Sequence, residues 1–390
     1  MFNVQILNPI SATGLQQFPT ESYHIEDKLQ QPDAILVRSY QMHDFELPPS
    51  VLVVGRAGVG VNNIPVEKLT EYGVPVLNTP GANTNAVREL VLAGMLLASR
   101  NLCRAVEYVR QLSSENDVSL EKKIESDKKQ FAGSELRGKT LGVIGLGNIG
   151  VQVANAAAGL GMHILGYDPS ITVEHAWQLS ADVQQVKQLD DLLSQADFVT
   201  LHVPLLPATK GMINSDRLDK VKKNSVLLNF SRHDIVDDSA LEAALNQNYL
   251  AMYVTDFPTL NLKKHPKVIC LPHLGASTYE AEENCAVMIV RQVRHFLEKG
   301  TIVQSVNFPS IEMPNSPDAY RLAFVHRNTP GMVAQISTHL ATARINIISL
   351  QNGSRDQIAY TLVDIGTEPD EALLAALTKI PGMIRVRRVS

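Results

Sequence analysis

The 390-residue chain has little of what announces several protein classes. Its three cysteines, Cys103, Cys270 and Cys285, are scattered and odd in number. That excludes a disulfide framework and fits a reducing compartment. The eleven histidines show no paired metal-ligand spacing, so no structural metal is expected. No run reaches the roughly 20 apolar residues of a membrane helix. The opening MFNVQILNPIS lacks the charged start and long apolar core of a secretory signal. Basic charge is not in excess either. The 35 Lys and Arg against 40 Asp and Glu give a net charge of −5, which argues against nucleic acid or an anionic membrane as partner. What these absences leave is a cytoplasmic protein acting on a small molecule.

The composition is that of an ordinary globular protein, 45% hydrophobic and 19% charged, and the length suits two or three domains. The chain is organised around residues 139–169, KTLGVIGLGNIGVQVANAAAGLGMHILGYDP. A short apolar run reads as a buried parallel strand, GLGNIG follows, then an Ala-rich helix, then a second strand ending in Asp168. This is a complete β-α-β unit with the dinucleotide fingerprint in its first turn. Gly145 permits the tight turn, Gly147 the approach of a pyrophosphate, and Gly150 close packing of helix on strand. The helix N-terminus then offers free N–H groups to the phosphates. Asp168 stands where a carboxylate accepts from the adenosine ribose and repels a 2′-phosphate, so NAD is expected rather than NADP.

Before this unit, strands are expected at 2–8, 34–37, 51–54 and 74–77, with a helix at 65–72. Alternation of this kind makes a parallel sheet whose ligands bind at the carboxyl ends of the strands. Arg38, Arg56, the loop with Gly58 and Gly60, and Asn83 all fall at such ends. Residues 85–110 read as one helix, and 113–129 as a polar crossing segment without an apolar face. After Asp168 the alternation continues through strands at 198–202, 225–230, 250–255 and 267–271, and a long helix spans 278–299. Residues 300–317, with Pro309, Pro314 and Pro317, form the clearest linker. The rest follows the order β-α-β-β-α-β, a ferredoxin-like arrangement.

Two strand-end residues suit hydride transfer between a secondary alcohol and a nicotinamide. His273 suits removal of the hydroxyl proton, because an imidazole titrates near neutrality. Arg232 suits the α-carboxylate, because its planar fork binds carboxylates at two points.

LLNFSR ending in Arg232, LPHLGAST around His273 and the fingerprint together resemble the D-isomer-specific 2-hydroxyacid dehydrogenases. GRAGVGVNNI at 55–64 and the closing small module extend the resemblance over essentially the whole chain. It implies an α/β protein of two doubly wound Rossmann-like domains plus a C-terminal ferredoxin-like ACT domain. A substrate-binding domain is implied at 1–92 and 278–308, an NAD-binding domain at 93–277, a linker at 309–319 and the ACT module at 320–390. Arg232 and His273 carry over as the catalytic pair. Gly145, Gly147, Asn148, Ile149, Gly150, Asp168, His202, Pro204, Thr209, Phe230, Ser231, Asp256 and Gly275, with the catalytic pair, carry over to NAD. Arg38, Ser39, Arg56, Ala57, Gly58, Val59, Gly60, Asn83 and Lys128 carry over to substrate. The loop 57–60 would offer backbone N–H groups to the carboxylate, and Arg38, Arg56 and Lys128 would hold a phosphate. His326, Asn328 and Asn346 match positions that bind L-serine as an effector.

The implied reaction is NAD-dependent oxidation of D-3-phosphoglycerate to 3-phosphohydroxypyruvate, the first step of L-serine biosynthesis, by a homodimer or homotetramer. The competing readings are a dehydrogenase for an unphosphorylated acid such as 2-hydroxyglutarate, and a regulatory homologue with weak catalysis. Two departures stand out. His233 replaces the glycine that usually follows the catalytic Arg. Leu260 or Asn261 stands where a Glu would orient the catalytic His, and that role is not carried over. Asp256 is the nearest acid, but it lies in a different strand phase.

Overall fold

A strand-helix-strand crossover returns the chain in its starting direction, so alternating short apolar runs and helices build parallel sheets. The computed structural model, which describes residues 1–114, 116–314, 316 and 318–389, contains two such sheets. The first holds β1 (Phe2–Ile6), β2 (Tyr23–Glu26), β3 (Ala34–Val37), β4 (Val53–Arg56) and β5 (Val76–Leu77), ordered β2-β1-β3-β4-β5. The second holds β6 (Thr140–Ile144), β7 (His163–Tyr167), β8 (Val183–Gln185), β9 (Phe198–Leu201), β10 (Ser225–Asn229), β11 (Leu250–Thr255) and β12 (Val268–Cys270). Its order is β12-β11-β10-β9-β6-β7-β8, and every pairing is parallel. The strand order reverses between β6 and β9, which is where such a sheet opens a ligand crevice beyond its carboxyl ends.

The third sheet holds β13 (Tyr320–Arg327), β14 (Ile347–Arg355), β15 (Ile358–Ile365) and β16 (Met383–Val389), antiparallel in the order β14-β15-β13-β16. With the helices Met332–Thr342 and Glu371–Thr378 it makes the expected β-α-β-β-α-β module.

The chain divides into two compact units. One joins residues 1–82 to the chain from 282 onward, and the other covers 83–281. The third sheet therefore shares a unit with the first. Alternation along β13 explains how. Leu322 and Phe324 point to one core with Met332, Ile336 and Leu377, while Ala323 and Val325 join a second core with Phe296, Leu297, Ile302 and Phe308. Three arginines secure the join. Arg321 makes a two-pronged pair with Asp364 at 2.7 and 2.9 Å and donates to the carbonyls of Lys299, Met313 and Pro314. Arg387 donates to the carbonyls of Leu297 and Phe296 and lies over the Phe296 ring. Arg385 donates to the carbonyls of Tyr72 and Val51. Arg321 and Asp364 are buried, and losing one member of such a pair costs about 3–5 kcal/mol.

Several sequence expectations are corrected. Residues 85–110 are not one helix. Asn101 adopts φ 52°, a left-handed conformation that Asn tolerates, and separates Thr84–Ser99 from Leu102–Gln111. Residues 113–129 contain the helix Asp117–Asp127. The Asn116 side chain accepts from Ser119 N at 3.0 Å and Ser119 Oγ accepts from Asn116 N at 3.3 Å, so a reciprocal cap supports a helix with no buried face. The short strands β2 and β8 and the helix Val173–Gln178 were not expected. Asn315 and Pro317 of the expected linker lie outside the described residues.

Candidate active site

The cradle at the end of β6 follows from two glycines. A Cβ on Gly150 would stand 1.9 Å from the Gly145 carbonyl oxygen, so the helix Asn148–Gly159 sits this close only because that side chain is absent. Gly147 caps the helix with no side-chain bond, and a Cβ there would meet nothing within 4 Å. Unsatisfied N–H groups therefore face open space. Asn148 Oδ1 accepts from His175 Nε2 at 3.2 Å, and Ile149 packs against the core behind.

The rim is built by neighbouring strand ends. Asp168 follows β7. Its two carboxylate oxygens accept from Leu146 N and Ser170 N, each at 2.8 Å, which leaves a second lone pair on each oxygen for ribose hydroxyls. His202 follows β9, and its backbone N donates to Ile144 O at 2.7 Å, tying that strand to β6. Its Nε2 meets Thr200 Oγ1 at 2.9 Å, while the buried Nδ1 has no partner among the described residues. Burial pushes the His202 pKa down to about 3, so the ring is neutral at ordinary pH. Thr209 Oγ1 donates to Pro204 O at 2.6 Å and accepts from Leu206 N at 2.8 Å, closing the turn beyond β9. An open backbone cradle, a carboxylate on the second strand and an orphaned ring nitrogen form a set that fits NAD.

The expected catalytic pair lies on the same sheet. Asn229, the buried last residue of β10, shapes the turn that carries Phe230, Ser231 and Arg232. Its Oδ1 accepts from Ser231 N at 3.1 Å, and its Nδ2 donates to Arg232 O at 2.9 Å. Ser231 Oγ also donates to Leu201 O at 2.8 Å, and Phe230 is buried. Arg232 Nη1 donates to Ser231 O at 2.6 Å, which leaves most of the fork for a ligand.

His273 lies beyond β12 at φ 57°, a left-handed conformation that costs a non-glycine residue about 1–3 kcal/mol. What holds it is Asp256, 1% exposed. The Asp256 carboxylate accepts from Leu274 N and Gly275 N, each at 2.7 Å, and its backbone oxygen accepts from His273 N at 3.1 Å. Asp256 thus braces the backbone of the His273 loop. The imidazole itself meets Phe257 edge-on, with ring centroids 5.1 Å apart. Among the described residues of this unit no carboxylate bonds it. Leu260 is 80% exposed and Asn261 opens the short turn Leu262–Lys264, so neither takes the place of the absent Glu. His233 needs no glycine-like backbone. It starts a short helical turn at negative φ, with Nε2 3.7 Å from Asp238 Oδ2. The parts played by Asn229 and Asp256 were missed from sequence, because their partners are main-chain groups that carry no sequence signal.

In the other unit, Arg38 and Arg56 stand at the ends of adjacent parallel strands, with Val37 paired to Arg56. Asn8 Oδ1 accepts from Arg38 N at 2.9 Å, Asn63 Nδ2 donates to Arg38 O at 3.3 Å, and Ser39 Oγ accepts from Asn8 Nδ2 at 3.4 Å. The Arg38 guanidinium pairs with Glu282. Arg56 lies across Gly58, where a Cβ would stand 2.0 Å from its Nη1. In the loop, Ala57 N donates to Val37 O and Gly58 N to Arg56 O, so the amides of Val59 and Gly60 are the two without a backbone partner among the described residues. Asn83 and Lys128 belong to the second unit. Asn83 caps the helix Thr84–Ser99 with a buried Oδ1 that has no partner among the described residues. Lys128 Nζ lies 2.5 Å from Glu125 Oε2, both exposed.

In the C-terminal module His326 is buried, with Nδ1 2.9 Å from Arg327 O and Nε2 2.9 Å from Thr361 Oγ1. Asn328 donates to Asp356 O at 3.0 Å, and both it and Asn346 are exposed. No helix among the described residues is long and apolar enough to cross a membrane, and no group of three or more His, Cys, Asp or Glu is placed to hold a metal.

Residues 92–275 match the family model described as D-isomer specific 2-hydroxyacid dehydrogenase, NAD binding domain. The chain is 34% identical over 354 residues to D-3-phosphoglycerate dehydrogenase of Haemophilus influenzae, covering 88% of this chain and 82% of that protein. It is 38% identical over 315 residues to the enzyme of the same name from Methanocaldococcus jannaschii, covering 78% of this chain and 56% of the relative. Among solved structures, NAD+-bound 3-phosphoglycerate dehydrogenase of Entamoeba histolytica superposes with a TM-score of 0.62 at 25% identity, over 78% of this chain and 98% of that one.

The two glycines separate binding from folding. Gly147→Ala adds a methyl group in open space, at φ −81°, so its thermal unfolding should match wild type. NADH affinity, read by fluorescence titration, should fall at least about tenfold, a loss of about 1.4 kcal/mol. Gly150→Ala should instead lower stability by about 1–3 kcal/mol through overpacking. Undiminished NADH affinity in Gly147→Ala would remove the cradle from the site.

Proposed function

The chain belongs to the D-isomer-specific 2-hydroxyacid dehydrogenases, and from that premise we propose that it oxidises D-3-phosphoglycerate to 3-phosphohydroxypyruvate, the first step of L-serine biosynthesis. One observation carries the reading: Arg232 and His273 follow the carboxyl ends of β10 and β12 on the sheet whose β6 end bears the dinucleotide cradle. Bound NAD supplies the acceptor for the hydride. Arg232 holds the α-carboxylate and polarises the adjacent carbon–oxygen bond as it becomes a carbonyl. The neutral imidazole of His273 takes the hydroxyl proton as the C–H bond breaks with its electron pair, and the imidazolium returns a proton in the reverse direction. The family resemblance assigns the distal phosphate to Arg38 and Arg56 and the carboxylate to the amides of Val59 and Gly60. Asp168 selects NAD over NADP.

A specific feature favours a second reading. Glu282 already balances Arg38, which suits a singly charged distal carboxylate such as that of 2-hydroxyglutarate. We also place the protein in the cytoplasm, a setting that its free thiols support. A symmetric homo-oligomer is supported by Leu102, Val106 and Val109, exposed along one side of the helix Leu102–Gln111. Binding of L-serine by the C-terminal module rests on Asn328 and Asn346, since both ring nitrogens of His326 are engaged.

The assay is NADH formation from D-3-phosphoglycerate, D-2-hydroxyglutarate and D-lactate side by side. The phosphorylated acid should give the highest kcat/KM. Arg56→Ala should raise its KM about tenfold or more while barely moving that for lactate, which has no distal anion. Equal effects on all three acids would remove Arg56 from phosphate recognition. For the effector, titration calorimetry with L-serine should show saturable heat, reduced in Asn346→Ala. An absence of heat from the wild-type protein would discard direct binding.

A further inference from the structure

We propose that Glu282 is a specificity-determining counter-charge, which sets how strongly the Arg38 and Arg56 site takes a doubly charged substrate group over a singly charged one. The inference rests on the reading of those two arginines as the holders of the substrate's distal anion. Arg38 is fixed at its backbone from both sides, by Asn8 and Asn63, so its side chain starts from a set position. Its Nη2 is already engaged by Glu282 Oε1. Glu282 lies in the first turns of the helix Tyr279–Lys299, and Cys285 follows one turn later on the same helix. The buried Cys285 thiol feels Arg38, Arg56 and Glu282 together, which puts all three charges in one neighbourhood.

The physical consequence follows from charge alone. An incoming phosphate must share Arg38 with a carboxylate that repels it, and a dianion is repelled about twice as strongly as a carboxylate monoanion. The Arg38 and Glu282 side chains are 38% and 39% exposed, so their pair is weak and substrate can compete with it. Glu282 therefore does not block the site. It lowers the site's preference for phosphate and keeps distal carboxylates within reach.

The test is Glu282→Gln, nearly isosteric and uncharged, assayed by steady-state kinetics on D-3-phosphoglycerate, D-2-hydroxyglutarate and D-lactate. The KM for phosphoglycerate should fall about tenfold, that for hydroxyglutarate about threefold and that for lactate not at all, with kcat moving far less. High salt should shrink the gain. Glu282→Asp should retain the wild-type order of preference. In an Arg38→Ala background the Glu282→Gln gain should shrink, because the part that comes from freeing Arg38 is gone while direct repulsion of the anion remains. Wild-type turnover of phosphoglycerate with an unchanged or raised KM in Glu282→Gln overturns the counter-charge alone. Failure of the wild-type protein to oxidise phosphoglycerate overturns the reading of the reaction, and this inference with it.

Discussion

The loop that carries His273 depends on one buried carboxylate. Asp256 spends both side-chain oxygens on the amides of Leu274 and Gly275 and its carbonyl on the amide of His273. Charge-assisted bonds to backbone N–H are among the stronger hydrogen bonds in proteins, and a carboxylate so placed resists displacement. The brace holds His273 in a left-handed conformation that the residue would not adopt freely. The brace fixes the main chain of His273, the proposed base, in a site where Leu260 is exposed and the imidazole meets the edge of Phe257.

A second constraint runs through the other unit. Arg321, Arg385 and Arg387 fasten the C-terminal sheet to carbonyls at the end of the long helix and to those of Tyr72 and Val51 in the first sheet's connections. The same helix begins near Glu282, whose carboxylate meets Arg38. One rigid element of 21 residues, about 31 Å at 1.5 Å per residue, therefore connects the sheet-anchoring arginines to the pair of Glu282 with Arg38. The C-terminal module is part of the fold of its unit, packed through Ala323 and Val325 into a shared core.

Apart from β2 and β8, the strands of both parallel sheets and the β-α-β-β-α-β order were legible because most are short, largely apolar runs set between helices and turn residues. The fingerprint was legible because its glycines are required by close approach. Other features left no such trace. The helix Asp117–Asp127 buries no residue fully and has only Val118, Leu120 and Ile124 as apolar residues, too few for a clear stripe, and its cap uses Ser119 where Glu or Gln is the familiar sign. β2 and β8 are four and three residues long at sheet edges, too short to show a period. Arg232 and His273 were singled out by strand-end position and residue chemistry. Asn229 and Asp256 were not understood, since a side chain that bonds main-chain amides leaves no complementary residue in the sequence. The Glu282 pair with Arg38 spans 244 positions and could be seen only once the fold brought the two together.

The most direct test of the account is His273→Asn. Asn accepts left-handed backbone more readily than most residues, so the loop braced by Asp256 should keep its shape while the proton acceptor is lost. The measurement is NADH formation from D-3-phosphoglycerate, paired with a titration of NAD binding. Turnover should fall by about 10²–10⁴-fold, the usual worth of a positioned acid–base group, with NAD affinity within about threefold of wild type. A variant that keeps turnover within about tenfold of wild type would contradict the assignment of His273 as the base.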